Sequence, residues 1–394
     1  MSSDPVVIAS YARTPMGGLL GDFATVKATE LGATAVKAAV ERAGVAPEHL
    51  DRIYMGCVLP AGQGQAPARQ AALGAGLPRS VQATTVNKMC GSGMQAAIMA
   101  VEALMAGTAE VIIAGGMESM SNAPYLLAKH RSGSRIGHDS VKDSMFLDGL
   151  EDAYEAGTLM GVFAENNASK FGFTRADQDA YATEGLKRAK QAITEGWFED
   201  EITPVTVKTK AGEHQVAIDE QPGKANPDKI PNLKPAFAKD GTVTPANSSS
   251  ISDGAAALVF TRASVAERLG MQVCAKVLAT GCHAHEPGDF PSAPVPAMKK
   301  VMAQAGWSVD DVDLFEVNEA FAVVAMIAMK ELGIAHDKIN INGGACALGH
   351  PIGASGARIL ATLLAALKRT GKKRGVAGIC LGGGEATAMA VELV

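Results

Sequence analysis

Four short segments of the chain place a reactive side chain next to glycines or at the mouth of a helix. Cys90 lies in Asn87-Lys-Met-Cys-Gly-Ser-Gly, between a strand-like and a helix-like apolar stretch. A cysteine there has unpaired amide N–H groups and the positive end of the helix dipole beside it. Both favour the thiolate and lower the thiol pKa below its ordinary ~8.5. The alternative, and the commoner fate of a cysteine, is a buried structural side chain. His350 stands between Gly349 and Pro351 in Asn342-Gly-Gly-Ala-Cys-Ala-Leu-Gly-His-Pro-Ile-Gly-Ala-Ser-Gly; a histidine bonded inside a tight loop is its plainer reading. Cys380 closes an apolar strand and precedes Leu-Gly-Gly-Gly-Glu. That glycine run lacks the Lys-[Ser/Thr] of a phosphate loop, so its N–H groups are better suited to an oxyanion hole. A second cysteine at such a strand end suits a proton-transferring thiol. Asn318, in Glu316-Val-Asn-Glu-Ala-Phe, sits where a strand gives way to a helix. Its amide can orient a water or His350, and as a helix cap it would do neither.

The elements that must position these residues follow from apolar periodicity. Strands are expected at 6–10, 53–57, 83–87 and 110–115, and helices at 28–42, from 65 to 72, and 92–105. Such alternation makes an α/β domain with helices on both faces of a sheet. The last third repeats it. Ala43-Gly44 falls opposite Ala305-Gly306, 262 positions on, and Cys90-Gly-Ser-Gly falls opposite Gly353-Ala-Ser-Gly, 263 positions on. Two matches in nearly one register mean two copies of one unit. If the copies face each other, the His350 segment meets the Cys90 turn. The expected division is 1–120 with 252–272 as the first half, 273–394 as the second, and 121–251 as an inserted loop subdomain that covers a ligand. The insertion is rich in proline and polar runs, with one helix expected at 175–195, capped by Thr174 and Asp177.

Composition removes several classes. The net charge is −5 and no like-charge block reaches five residues, so neither a nucleic-acid nor a polybasic membrane surface is expected. The longest apolar runs, 320–329 and 359–367, are too short to span a bilayer and read as buried helices. No secretory or peroxisomal address is visible, which with six scattered cysteines and no Cys-x-x-Cys leads us to expect a reducing, cytoplasmic setting. His283-Ala-His285-Glu286 lacks a third ligand at a metal-binding spacing. Met94, Met99 and Met105 are expected to fill core.

Cys-Gly-Ser-Gly, Val-Asn-Glu-Ala-Phe, Gly-Gly-Ala-x-x-x-Gly-His-Pro-x-Gly-x-Ser-Gly-Ala-Arg and Cys-x-Gly-Gly-Gly, in this order and spacing, resemble the thiolase family over essentially the whole chain. Lys234-Pro-Ala-Phe and Gly241-Thr-Val-Thr-Pro-Ala-Asn-Ser-Ser are similar to its acetoacetyl-CoA thiolase branch, and Asp289-Phe-Pro-Ser-Ala-Pro resembles the mitochondrial type.

The resemblance implies a duplicated α/β thiolase fold. It also implies condensation of two acetyl-CoA to acetoacetyl-CoA and CoA, or the reverse thiolysis. Cys90 would be the acylated nucleophile, His350 its proton acceptor and Cys380 the base at carbon. His350 with a water on Asn318 would form one oxyanion hole, and the N–H groups of Cys90 and Gly382 the other. Leu150, Met160, Phe237, Ser249 and Phe321 would line the pantetheine channel, with Ala246, Ile251, Phe290 and Ala320 among the CoA contacts.

Lys224 stands where the family often has arginine near the adenine, and Leu159 where many members have histidine. Pro222 replaces a tyrosine associated with potassium, so no metal is expected. CoA thioesters are substrates and no cofactor is expected. The same resemblance implies a homodimer or homotetramer, in which 121–145 would supply the tetramer contacts. The alternatives are a degradative 3-ketoacyl-CoA thiolase with longer substrates, a 3-ketoacyl synthase, for which Cys380 is unexpected, and a non-catalytic acyl-CoA carrier.

Overall fold

A computed structural model of the protein describes residues 4–210 and 212–394. The first half runs β1 (Val6–Arg13), α1 (Ala28–Ala43), β2 (Arg52–Gly56), α2 (Pro67–Gly74), β3 (Gln82–Val86), α3 (Ser92–Met105) and β4 (Val111–Ser119). The insertion contributes α4 (Met160–Phe171) and α5 (Arg175–Thr194), and β5 (Ser252–Arg262) then returns to the first half. The second half is β6 (Ala275–Ala284), α6 (Pro294–Ala305), β7 (Leu314–Val317), α7 (Ala322–Leu332), α8 (Ser355–Thr370), β8 (Arg374–Leu381) and β9 (Glu385–Leu393).

The strands of the first half lie in the order β3-β2-β4-β5-β1, with β2 parallel to β3 and β4, and β5 antiparallel to β4 and β1. The second half repeats this as β7-β8-β9-β6, with β9 antiparallel to both neighbours. The counterpart of β3 is reduced to a parallel bridge between Phe315 and Ile339. Instead of two separate sheets, the halves share one continuous sheet, joined where Val7 pairs with Lys276 and Ile8 with Ala275.

Both faces of the sheet are buried, as expected of strands with few polar residues. Along β4, Val111 and Ile113 pack under α1, while Ile112 and Ala114 point to the opposite core with α3 and α8. α6 and α7 cover the second half from outside. α3 and α8 thus form a central layer. From Ser355 to Leu367 every residue of α8 is buried, which a helix tolerates only when it is apolar nearly all round. The two helices meet at Gly93 and Gly356, themselves 263 positions apart. A Cβ at Gly93 would lie 2.8 Å from Ala357 N, and one at Gly356 2.4 Å from Met94 N. Only hydrogen fits between these backbones, so both helix amino termini reach the same place.

The insertion is fastened from below. Arg13, fully buried on β1, holds Glu201 at 2.6 Å and Asp219 at 2.7 Å, both from the insertion. A lone guanidinium there would be costly, and two carboxylates with complementary bonds compensate its desolvation.

Several expectations need correction. The helix expected from 65 starts at Pro67, since proline suits a first turn and supplies no N–H. The strand expected to stop at 115 runs to Ser119, because its glycines pair in the ladder with Ala256 and Ala257. The insertion is less loop-like than expected: besides α5, whose Thr174–Asp177 capping box is present, it has α4 and a hairpin, Val205–Thr209 with Gly212–Val216. Met94 is buried and Met99 partly so, but Met105 is 73% exposed at the end of α3, where the central layer no longer covers it. All six cysteines are free.

Gly356→Ala should separate α3 from α8 and destabilise the protein by about 1–3 kcal/mol. A lowered midpoint in urea, with turnover falling alongside, is the expected result.

Candidate active site

The turn before α3 carries Cys90, the end of β8 carries Cys380, and the loop before α8 carries His350. All three, with Gly382, face one cavity of about 390 Å³. Segment 248–252, where the insertion returns to the first half, threads between the halves to fix them. His350 N–H donates to Ser250 O at 3.1 Å, and Ser249 N–H and Oγ both bond Ala320 O, at 3.0 and 2.9 Å.

His350 is buried, and that pushes its pKa down to about 3, with Arg358 adding to the effect. It therefore rests neutral. Nδ1 lies 2.6 Å from Ser355 Oγ, and that hydroxyl lies 3.0 Å from the Pro351 carbonyl. The carbonyl can only accept, so a hydroxyl donating to it takes its own bond from Nδ1–H. This tautomer leaves the Nε2 lone pair bare, and Nε2 has no protein partner. Asn318 is buried behind the ring, its Nδ2 3.5 Å from Nδ1 and its Oδ1 3.4 Å from Arg358.

The expected low thiol pKa at Cys90 is not found. Burial pushes it up to about 12, outweighing the Gly382 N–H and its own N–H, which both pull it down, while the Glu118 carboxyl raises it further. Cys380 is pushed well above the ordinary thiol value by burial and then by the neighbouring Cys90, against the N–H groups of Cys380 and Ala320. Desolvation of a charge in an apolar cavity exceeds what a helix end returns. Both sulfurs rest as thiols, close enough to feel each other's charge.

Of the other expected residues, Leu150, Met160, Phe237 and Ser249 line this cavity. So do Ile251, Phe290, Ala320 and Phe321. Phe321 meets Phe237 edge-on at 5.9 Å and Phe290 at 6.4 Å between centroids, making one aromatic wall. Lys224 and Ala246 do not line it. They border an adjoining pocket of about 260 Å³ that shares Pro245 and Ser250 with the first. Lys224 is largely exposed and pairs with the buried Glu220. Leu159 does line the first cavity, at the head of α4. Ser355, Phe146 and Ile352 also belong to the site and were not singled out from sequence. Ser355 was within reach, as the first residue of α8 and five beyond His350. No group of three potential metal ligands stands together among the described residues.

The N-terminal domain of thiolases matches residues 6–264 and the C-terminal domain residues 271–393. The chain belongs to the thiolase family. It is 50% identical to acetyl-CoA acetyltransferase 2 of Arabidopsis thaliana, over 99% of this chain and 97% of that one. It is 47% identical to the cytosolic acetyl-CoA acetyltransferase of Mus musculus, over 99% and 98%. The crystal structure of the Bacillus anthracis acetyl-CoA acetyltransferase superposes with a TM-score of 0.96 at 38% identity, covering 99% of each chain.

The raised Cys90 value sets a pH dependence for this thiolase. Each pH unit below the thiol pKa costs roughly tenfold in thiolate. Alkylation of Cys90 by iodoacetamide should climb from about pH 7 to about pH 10 without levelling; mass spectrometry of the Cys90 peptide reads the rate, and a plateau near neutrality would contradict it.

Proposed function

We propose that the protein is an acetyl-CoA C-acetyltransferase, joining two acetyl-CoA into acetoacetyl-CoA with release of CoA, and running the reverse thiolysis. The observation that carries this reading is the convergence of two thiols, a neutral imidazole with a bare Nε2 and the Gly382 amide on one largely apolar cavity.

In the first stage Cys90 Sγ attacks the thioester carbonyl and passes its proton to His350 Nε2. The N–H groups of Cys90 and Gly382 receive the oxyanion, and the departing CoA thiolate takes the proton from His350. A thioester is exchanged for a thioester, so the step is near balance in both directions. It also divides one hard carbon–carbon bond formation into two easier steps.

In the second stage Cys380 first passes its own proton to the bare Nε2 of His350, and the thiolate then removes a proton from the methyl carbon of a second acetyl-CoA. A thiolate whose conjugate thiol has a raised pKa is the stronger base for so weak a carbon acid. His350, now protonated at Nε2, and a water on Asn318 donate to the enolate oxygen. The carbanion attacks acetyl-Cys90, acetoacetyl-CoA forms, and the released Cys90 thiolate takes the proton from His350 while Cys380 keeps the one it removed from carbon. Acetylation removes the negative charge that Cys90 would place beside Cys380, so the second thiol ionises more readily after the first has reacted. Electrostatics thereby orders the two stages.

The aromatic wall and Leu150, Met160 and Ser249 would hold the pantetheine arm, and the pocket with Lys224 and Ala246 the nucleotide end. CoA thioesters are the substrates, and the mechanism calls for no cofactor or metal. A cytoplasmic homodimer or homotetramer is part of this reading. It is supported by the cytosolic mouse relative, by the finding that no described helix is long and apolar enough to cross a membrane, and by exposed apolar side chains in 121–145, such as Tyr125 and Ile136.

Acetyl-CoA alone should label Cys90 with an acetyl group detectable by mass spectrometry. Cys380→Ser should keep this label while condensation falls by about 10²–10⁴. Retained condensation would remove Cys380 as the base, and an absent label would favour an acyl-CoA carrier. Acetoacetyl-CoA should be cleaved faster than a long-chain 3-ketoacyl-CoA. The opposite order would make the protein a degradative thiolase.

A further inference from the structure

The duplication gives every group of the catalytic centre a counterpart in the other half. Cys90 corresponds to Gly353, 263 positions on, as α3 corresponds to α8. Ala320, whose N–H faces the Cys380 sulfur, corresponds to Val58, 262 positions back, as β7 corresponds to β2. Leu381 corresponds to Glu118, near the end of β4. Two amides that face the reacting sulfurs, those of Cys90 and Ala320, therefore have twins in the idle copy, at Gly353 and Val58, and both twins are occupied. Glu118 Oε2 accepts from Val58 N–H and Gly353 N–H, each at 2.9 Å, and Oε1 accepts from Leu59 N–H at 3.2 Å.

Glu118 is fully buried and, among the described residues, has no lysine, arginine or histidine paired with it. The titratable groups facing it are Cys57, whose Sγ is 3.6 Å from Oε1 at the end of β2, and Cys90 on the turn before α3. Gly353 lies between His350 and Ser355, the residue that bonds the imidazole. The carboxylate thus ties the His350 loop to the first half, and its charge bears on the Cys90 sulfur.

We propose that Glu118 is a positioning residue that plugs the idle copy of the anion-stabilising site, holding the His350 loop through Gly353 with its charge beside the Cys90 turn. The inference rests on the reaction proposed above. It gives a reason for a buried anion held by three amides and one thiol, with no cation beside it among the described residues, next to a centre that uses amides to hold anions. Burial pushes the Glu118 pKa up to about 7 against those three N–H bonds. Below that pH a protonated carboxyl loses acceptor capacity and slackens its grip on Gly353.

Glu118→Gln keeps the shape but turns an NH₂ toward amides that need an acceptor. The expected result is a kcat at least tenfold lower with KM little changed, together with faster alkylation of Cys90 by iodoacetamide at a given pH. A merely structural loosening would not lower the midpoint of the Cys90 alkylation profile. In the unmodified protein, kcat should fall below about pH 7, a limb that needs no variant and that His350, at about 3, does not supply. Unchanged kcat and an unchanged alkylation profile in Glu118→Gln overturn the proposal, as does a wild-type kcat flat across about pH 6 to about pH 8. Absence of any wild-type turnover counts against the reaction assigned above, while the alkylation profiles still decide the role of Glu118.

Discussion

The contact on which the rest depends is the meeting of α3 and α8 at Gly93 and Gly356. Neither glycine can carry a side chain without pressing on the backbone opposite. The approach of two buried helices, side by side in the middle of a ten-stranded sheet, brings their amino-terminal turns together. One turn bears Cys90 and the other follows the loop of His350. The strand seam between the halves consists of Val7 with Lys276 and Ile8 with Ala275 alone. Register between the halves is therefore set by helix packing more than by strand pairing.

What the sequence made readable was local and repetitive. The capping box at Thr174 states its helix outright, and the matching registers at 43 and 90 revealed the duplication. Once the copies are superposed, the encounter of Cys90, His350 and Cys380 is nearly forced, and the cavity contains all three. Eight of the ten expected binding residues also line it. Lys224 and Ala246 fall in the adjoining pocket because the path of the insertion depends on long-range ties such as Arg13 to Glu201 and Asp219, which leave no periodic trace.

Electrostatics was the least readable part. A cysteine before a helix is expected to be acidic when only the dipole is considered, but the dipole acts on a sulfur that has already left water. How deeply a turn is buried is a property of everything packed around it. Glu118 was missed for a similar reason. Nothing around it in Gly-Gly-Met-Glu-Ser separates it from a solvated acid, and its role depends on amides nearly 60 positions before it and 235 positions after it.

The protonated state of the resting sulfurs has a consequence for survival in the cell. Peroxides attack thiolates, and the first oxidation product of one cysteine is readily captured by a second one nearby. Two facing cysteines in an open cavity would be an exposed target if either were ionised. Holding both as thiols until a carbonyl arrives makes the free protein a slow substrate for oxidants.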